Sequence, residues 1–371
     1  MRLWWVLSCA VTWAVLAVLL LSRLLSMNRP PYRGTHRTAR HPLTWLTRSP
    51  AHPSVFCLSP CLPNVLSKAD VFTWDFFTFQ ESPGRAETRS TVEAVQRERQ
   101  ELLRRVCADP ALHNLTHTNV SHFVLSRIFV CDRYRILFCQ TPKVGNTQWK
   151  KVLLVANGRY NSTSDVPEDI VHQHDKNGLP RLSSLPPEEV SLRLRTYFKF
   201  LIVREPFDRI ISAFKDKFVK NPRQEPWYRQ RIAPAIVRRY GSGPARRHAL
   251  RFEDFVRYLG DAQAERLDAA FGEHIIHWVT YVRLCAPCQI DYDAVGHHET
   301  LESDAPYVLR RAGVPGHAAY PPIPPGVTAF NRSKVQHYFR GISPTWIRRL
   351  YRRYEGDFRL FGYEEPSFLW M

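Results

Sequence analysis

Two short segments of this 371-residue chain carry side chains suited to gripping phosphate. The first runs Gln140, Thr141, Pro142, Lys143, Val144, Gly145, Asn146, Thr147, Gln148, crowding a cation, a flexible glycine and several hydroxyl or amide donors into one loop. The second runs from Arg204 through Glu205, Pro206, Phe207, Asp208, Arg209, Ile210 and Ile211 to Ser212. A guanidinium offers paired donors that match the oxygens of a terminal phosphate, whereas an ammonium acts as a point charge. Taken alone, the first segment reads more readily as an ordinary polar turn with Lys143 exposed, and the alternative for the second is a surface Arg204 paired to Glu205 or Asp208. The first also lacks the G-x-x-x-x-G-K-[ST] pattern of nucleoside triphosphatases. Together they suit the two ends of one bisphosphorylated nucleotide. Among side chains that could serve as a general base beside such a site, histidine is the commonest. His174 and then His172, in the 171–176 segment VHQHDK between the two loops, are the candidates, against the alternative of two surface histidines in a polar loop.

The neighbouring residues supply the elements that would aim these groups. Tyr134–Cys139 and Tyr197–Val203 are short β-forming runs, each followed by one of the two loops and then a helical pattern, over Thr147–Asn157 and from Pro206 to about Val219. Strand, helix, strand, helix implies a parallel sheet covered by helices. A loop leaving such a strand and entering a helix directs backbone N–H groups and the positive helix end at one point. A helix is expected to open the folded part near Thr91, and Phe252–Leu259, Ile275–Leu284 and Pro344–Tyr354 are further helical stretches.

Composition agrees with an anionic partner. The net charge is +18, and residues 1–90 account for only +6 of it (10 basic, 4 acidic), so the surplus lies mostly in the folded part. No block of like charges resembles a nucleic-acid-binding tail. Residues 4–21 form an uncharged apolar run with no small-x-small cleavage site after it, read as an uncleaved membrane anchor following a cytoplasmic tail of residues 1–3. The proline-rich 22–90 segment reads as a stem, leaving 91–371 as the catalytic domain. Four N-x-[ST] sequons, at Asn114, Asn119, Asn161 and Asn331, all follow the anchor and favour a lumenal domain. His274 and His277 have helical i, i+3 spacing, but no third ligand marks a metal site, and a helix-face or core role is preferred. Cys285 and Cys288 have redox-motif spacing without a βαβ start, which favours structural disulfides. For His297, His298 and Glu299, acceptor contact and plain structure are equally good readings.

The 139–151 segment CQTPKVGNTQWKK resembles the 5′-phosphosulfate loop of the Golgi carbohydrate sulfotransferases, and FLIVREPFDRIISAF at 200–214 resembles their 3′-phosphate segment. The likeness continues through PWY at 226–228, FEDFVRY at 252–258, CAPC at 285–288, GHHETLE at 296–302 and EGDFRLFGY at 355–363. It implies a P-loop-like sulfotransferase fold: a central parallel sheet flanked by helices, with a mainly helical C-terminal part. It also implies 3′-phosphoadenosine-5′-phosphosulfate (PAPS) as donor and no metal. Residues Pro142 to Gln148 would bind the phosphosulfate, with Lys143 at the transferring group, and Arg204 to Ser212 would bind the 3′-phosphate. Segments 148–149, 172–182 and 275–278 are most similar to members that sulfate the 3-hydroxyl of a terminal glucuronic acid on lactosamine-type glycans, the human natural killer (HNK) epitope. Sisters acting on the 4-hydroxyl of N-acetylgalactosamine are the alternative, and a non-catalytic lumenal binder of acidic glycans is an alternative of another class. The expected partners are glycoprotein or glycolipid glycans, the Golgi membrane and a glucuronyltransferase, with no nucleic acid.

Overall fold

The computed structural model describes residues 83–173, 176–241 and 249–370, with side chains from 91 onward. The anchor at 4–21 and all but the end of the stem lie outside the described residues, as does His174. Among the described residues no helix is long and apolar enough to cross a membrane.

Helix α1 (Pro83–Ala108) begins upstream of the expected Thr91. The sheet has four strands in the order β1 (Ile128–Cys131), β2 (Ile136–Cys139), β3 (Phe198–Val203) and β4 (Ala294–His297). Strands β2, β3 and β4 are parallel, as the sequence implied; β1 adds an antiparallel edge through a tight turn at Asp132–Tyr134, making the sheet mixed. That turn explains why β2 starts at Ile136 and not at Tyr134.

Strands β2 and β3 read as largely apolar runs because both faces are covered. Leu137, Cys139, Leu201, Val203 and Val295 point into one core, and Ile136, Phe138, Phe200, Ile202 and Ala294 into the other. On the second side Trp149 of helix α2 (Asn146–Ala156) packs on Phe138 and Phe200. Helix α3 (Glu168–His172) follows α2 and carries His172 at its end. After β3, helix α4 (Pro206–Phe214) is shorter than the pattern suggested, because the chain widens into a π-type turn at Lys215–Lys220. Such turns redirect side chains and recur at functional sites.

The 252–259 helix, α5 (Phe252–Leu259), has the expected bounds. The expected 275–284 helix is instead a tight 3-10 turn, Gly272–His277, and then a short helix, α6 (Tyr281–Cys285). Helix α7 (Leu301–Arg311) follows β4, α8 (Arg332–Phe339) packs against α4, and α9 (Pro344–Phe361) runs longer than expected before Gly362 stops it. The CxxC cysteines do not pair with one another. Cys285 bonds Cys139 at the end of β2, and Cys288 bonds Cys107 in α1. The spacing is structural, as preferred, and Cys131 stays reduced and buried.

Candidate donor and acceptor cavity

Register places the carboxyl ends of the three parallel strands at one edge: Cys139 lies opposite Leu201, and Val203 opposite His297. The chain leaves that edge at Gln140, Arg204 and His298, and all three line one cavity of about 710 Å³. Ligands of open α/β sheets bind at this edge. The loop after β2 turns sharply: Lys143 has φ 80° and Gly145, capping α2, also has φ 80°. Left-handed backbone at a non-glycine residue is strained and persists where the surroundings enforce it. Here Thr141 Oγ1 bonds the Ile202 carbonyl, Arg209 Nε donates to Pro142 O (3.4 Å) and Arg204 Nη1 donates to Lys143 O (3.0 Å). A side chain at 145 would meet the Tyr320 hydroxyl, so the position requires glycine.

The sequence-predicted residues divide by what they face. Pro142, Lys143, Gly145, Asn146, Thr147, Gln148, His172, Arg204 and Ser212 line the cavity together. A smaller cavity of about 260 Å³ is lined by Lys143, Arg204, Ile211, Ser212, Lys215 and Lys334 among others. Val144, Phe207 and Ile210 are instead buried in the core, so they shape the loops and cannot touch a ligand with their side chains. Arg209 is likewise committed internally: its guanidinium lies 4.4 Å from the Tyr281 ring centre, and Nη2 donates to Val279 O (2.7 Å). Glu205 caps α4, accepting from Asp208 N (2.6 Å). Burial, with Asp208 and Glu299 nearby, pushes its pKa up to about 8, so near neutrality it is mostly uncharged and adds little repulsion to an anion.

Both loop cations are held by carboxylates. Lys143 Nζ pairs with Asp216 (3.0 Å), and Arg204 Nη2 with Asp208 (2.7 Å), which also pairs with Lys334. Burial pulls the Lys143 pKa down, and Asp216 opposes that pull. For Asp216 burial pushes upward, yet Lys143 and Lys217 hold it below its usual range.

The histidines differ in their partners. His172 Nε2 sits 2.7 Å from Arg223 and 3.4 Å from Glu168; burial, Arg223 and Lys150 lower its pKa. His277 also lines the cavity with Nδ1 enclosed and unpartnered, and burial plus Lys217, Lys143, Arg209 and Arg223 hold it neutral, well below its usual pKa. The helix-face or core role preferred for His274 and His277 therefore gives way to a cavity wall; His274 stacks on Trp227 there. His298 is lowered to about 4 by burial and Arg204, and Glu299 accepts from Glu205 N (2.8 Å), placing that trio beside the second loop. Sequence reading also passed over Arg127, Lys150, Arg181 and Arg223, which come from four separate segments and meet only in the cavity. Lone basic residues in a chain this basic carry no local signal; convergence is a tertiary fact. The four sequon asparagines are all exposed, and Asn331 Oδ1 caps α8 by accepting from Lys334 N (2.7 Å).

Comparison with known proteins supports this reading. A family model described as "Sulfotransferase family" matches residues 126–364. The chain is 64% identical over 275 residues to human "Carbohydrate sulfotransferase 10", covering 74% of this chain and 77% of that protein. Against the Danio rerio protein of the same name it is 51% identical over 374 residues, covering 100% of both chains. To Danio rerio "Carbohydrate sulfotransferase 14" it is 35% identical over 76% of each. No solved structure matches.

Proposed function

The chain belongs to the sulfotransferase family, and from that premise we propose that it is a carbohydrate sulfotransferase moving a sulfuryl group from PAPS to the 3-hydroxyl of a terminal glucuronic acid on a lactosamine-type glycan, as in the HNK epitope. The observation that carries this reading is the convergence of two strand-end loops on one cavity, joined by the Arg204 guanidinium at the Lys143 carbonyl (3.0 Å). The 142–148 loop at the start of α2 grips the 5′-phosphosulfate, with Lys143 at the bond that breaks. Arg204 and Ser212 grip the 3′-phosphate. The acceptor oxygen attacks sulfur, the sulfur–oxygen bond to the phosphate opens, and the bridging oxygen leaves with the electron pair on the nucleotide. A fixed ammonium there stabilises the transition state more than the ground state.

The acceptor proton goes to His174 or His172 in this reading. His277 is a second choice, favoured by its neutral, unpartnered Nδ1 in the same cavity. Alanine at each position, read as the acidic limb of the pH profile of kcat, separates them: the base is the one whose loss abolishes that limb. Two disulfides suit an oxidising lumen, and four exposed sequons suit glycosylation there. We place the enzyme in the Golgi membrane as a single-pass type II protein anchored by residues 4–21, with a glucuronyltransferase as the partner that supplies its acceptor. Incorporation of labelled sulfate from PAPS into glucuronyl-lactosamine, with refusal of N-acetylgalactosamine polymers, is the expected result. The opposite preference overturns the acceptor assignment, and failure to bind the product nucleotide overturns the whole reading.

A further inference from the structure

The cavity carries more positive charge than the donor loops supply. Lys150 on α2, Arg127 just before β1, Arg181 and Arg223 all line it. Lys150 is 1% exposed, yet among the described residues its ammonium has no ionic or hydrogen-bonding partner; it sits 5.1 Å from the Phe129 ring centre, and Arg181 lies 5.7 Å from that same ring. Arg127 pairs with Glu273 (2.8 Å), the one ion pair that any of the four makes among the described residues, and Arg223 Nη2 lies 2.7 Å from the imidazole of His172. Burying a cation without a counter-charge is costly, and a site that does so is built for an anion that arrives.

We propose that Lys150 and Arg181, flanked by Arg127 and Arg223, form the subsite for the carboxylate of the acceptor's uronic acid. This rests on the glucuronyl reading above and assigns the residues that enforce it. Helix α2 supplies the geometry. Its first turn holds the phosphosulfate loop, and Lys150 lies four residues beyond Asn146, about 6 Å along the axis. The pyranose ring holds the 3-hydroxyl and the carboxylate of glucuronic acid a ring's width apart. Anchoring the carboxylate at Lys150 therefore presents the 3-hydroxyl toward the N-terminal end of the same helix, where sulfur is transferred. One rigid element then sets both what binds and which hydroxyl reacts. A neutral sugar leaves the cations uncompensated and is rejected by the same charge that attracts the acid.

The test is calorimetry on the full chain with the product nucleotide bound, comparing a glucuronyl-lactosamine trisaccharide with its glucuronamide analogue. Wild type is expected to bind the acid about 10- to 100-fold more tightly than the amide. Lys150→Met and Arg181→Gln should each bring the two affinities within a few-fold of one another, while nucleotide affinity is retained. Lys150→Met should also melt no lower than wild type, since it removes an unpaired buried charge; a purely structural lysine predicts the reverse. Equal affinity of wild type for acid and amide overturns the proposal, as does wild-type preference persisting in both variants. A wild type that binds the nucleotide but neither trisaccharide overturns the glucuronyl reading, and this subsite with it.

Discussion

The two ends of the cavity handle charge in opposite ways. At the donor end Lys143 and Arg204 are each matched by an aspartate, Asp216 and Asp208, so a phosphate must exchange partners with a carboxylate already in place. On the far wall Lys150 and Arg181 have no such match among the described residues. Compensation at the donor end keeps these largely enclosed cations charged and oriented between turnovers. Its absence on the far wall stores unfavourable energy that an anionic ligand relieves. Functional sites commonly hold such a penalty, which surrounding structure sustains. Donor binding is then an exchange of ion pairs, and acceptor binding the neutralisation of a standing charge.

The largest effect should come from the donor end. Lys143→Ala removes the cation beside the breaking bond and is expected to lower kcat by about 10²–10³-fold. The product nucleotide should still raise the melting temperature, because Arg204 and Ser212 remain. A kcat within threefold of wild type would move the catalytic cation elsewhere and dissolve the contrast. Asp216→Asn is a smaller perturbation of the same pair. Leaving Lys143 uncompensated should lower the melting temperature of the free protein. It should also tighten nucleotide binding by about 3- to 10-fold, because the phosphate no longer competes with a carboxylate. Weaker nucleotide binding would mean that Asp216 positions Lys143 for the ligand rather than standing in for it.

How far the sequence reaches follows the same division. The donor loops were legible because each lies in one continuous segment: a β-forming run, a polar turn with Lys143 and Gly145 or Arg204 and Pro206, then a helix. Local chemistry there dictates local structure. Strand β4 was missed because Ala294–His297 is four residues long and includes Gly296, too short and too plain for a periodicity signal. The antiparallel strand Ile128–Cys131 hid for the same reason beside a turn. Helix α4 was drawn too long, since the π-type turn at Lys215–Lys220 keeps helical composition while changing the geometry. The acidic-ligand wall was invisible because Arg127, Lys150, Arg181 and Arg223 are scattered over nearly a hundred positions, and nothing in a chain of charge +18 marks one basic residue above another. His277 fell between the two cases: its spacing from His274 was seen, but their place on the cavity wall depends on the 272–277 turn.

The uncompensated wall makes a further, smaller prediction through its coupling to pH. Burial first, then repulsion from Arg181, Arg223 and Arg127, bring the Lys150 pKa down to about 7 from 10.5. The facing groups are these three guanidiniums, His172 at the end of α3, itself held low, and Glu273, which is engaged by Arg127. Below pH 7 Lys150 is protonated in both the folded and the unfolded chain, so the folded state bears the whole penalty. As pH rises from about 7 toward 10.5, the folded state gives up the proton while the unfolded chain keeps it, and stability from this group increases. Lys150→Met, which has no charge to bury, should therefore melt above wild type at pH 6, by about 2–5 °C. That advantage should shrink steadily between pH 7 and pH 9. Paired melting curves of the two proteins across this range cancel the contributions of titrating groups that do not interact with Lys150, and the same pair in a His172→Ala background removes the one histidine that does. A constant offset would mean that Lys150 keeps its proton in the folded protein through pH 9, and a negative one at pH 6 would mean that its ammonium is already compensated. In either case the far wall would resemble the donor end, and the charge asymmetry would have to be sought in Arg181 and Arg223 alone.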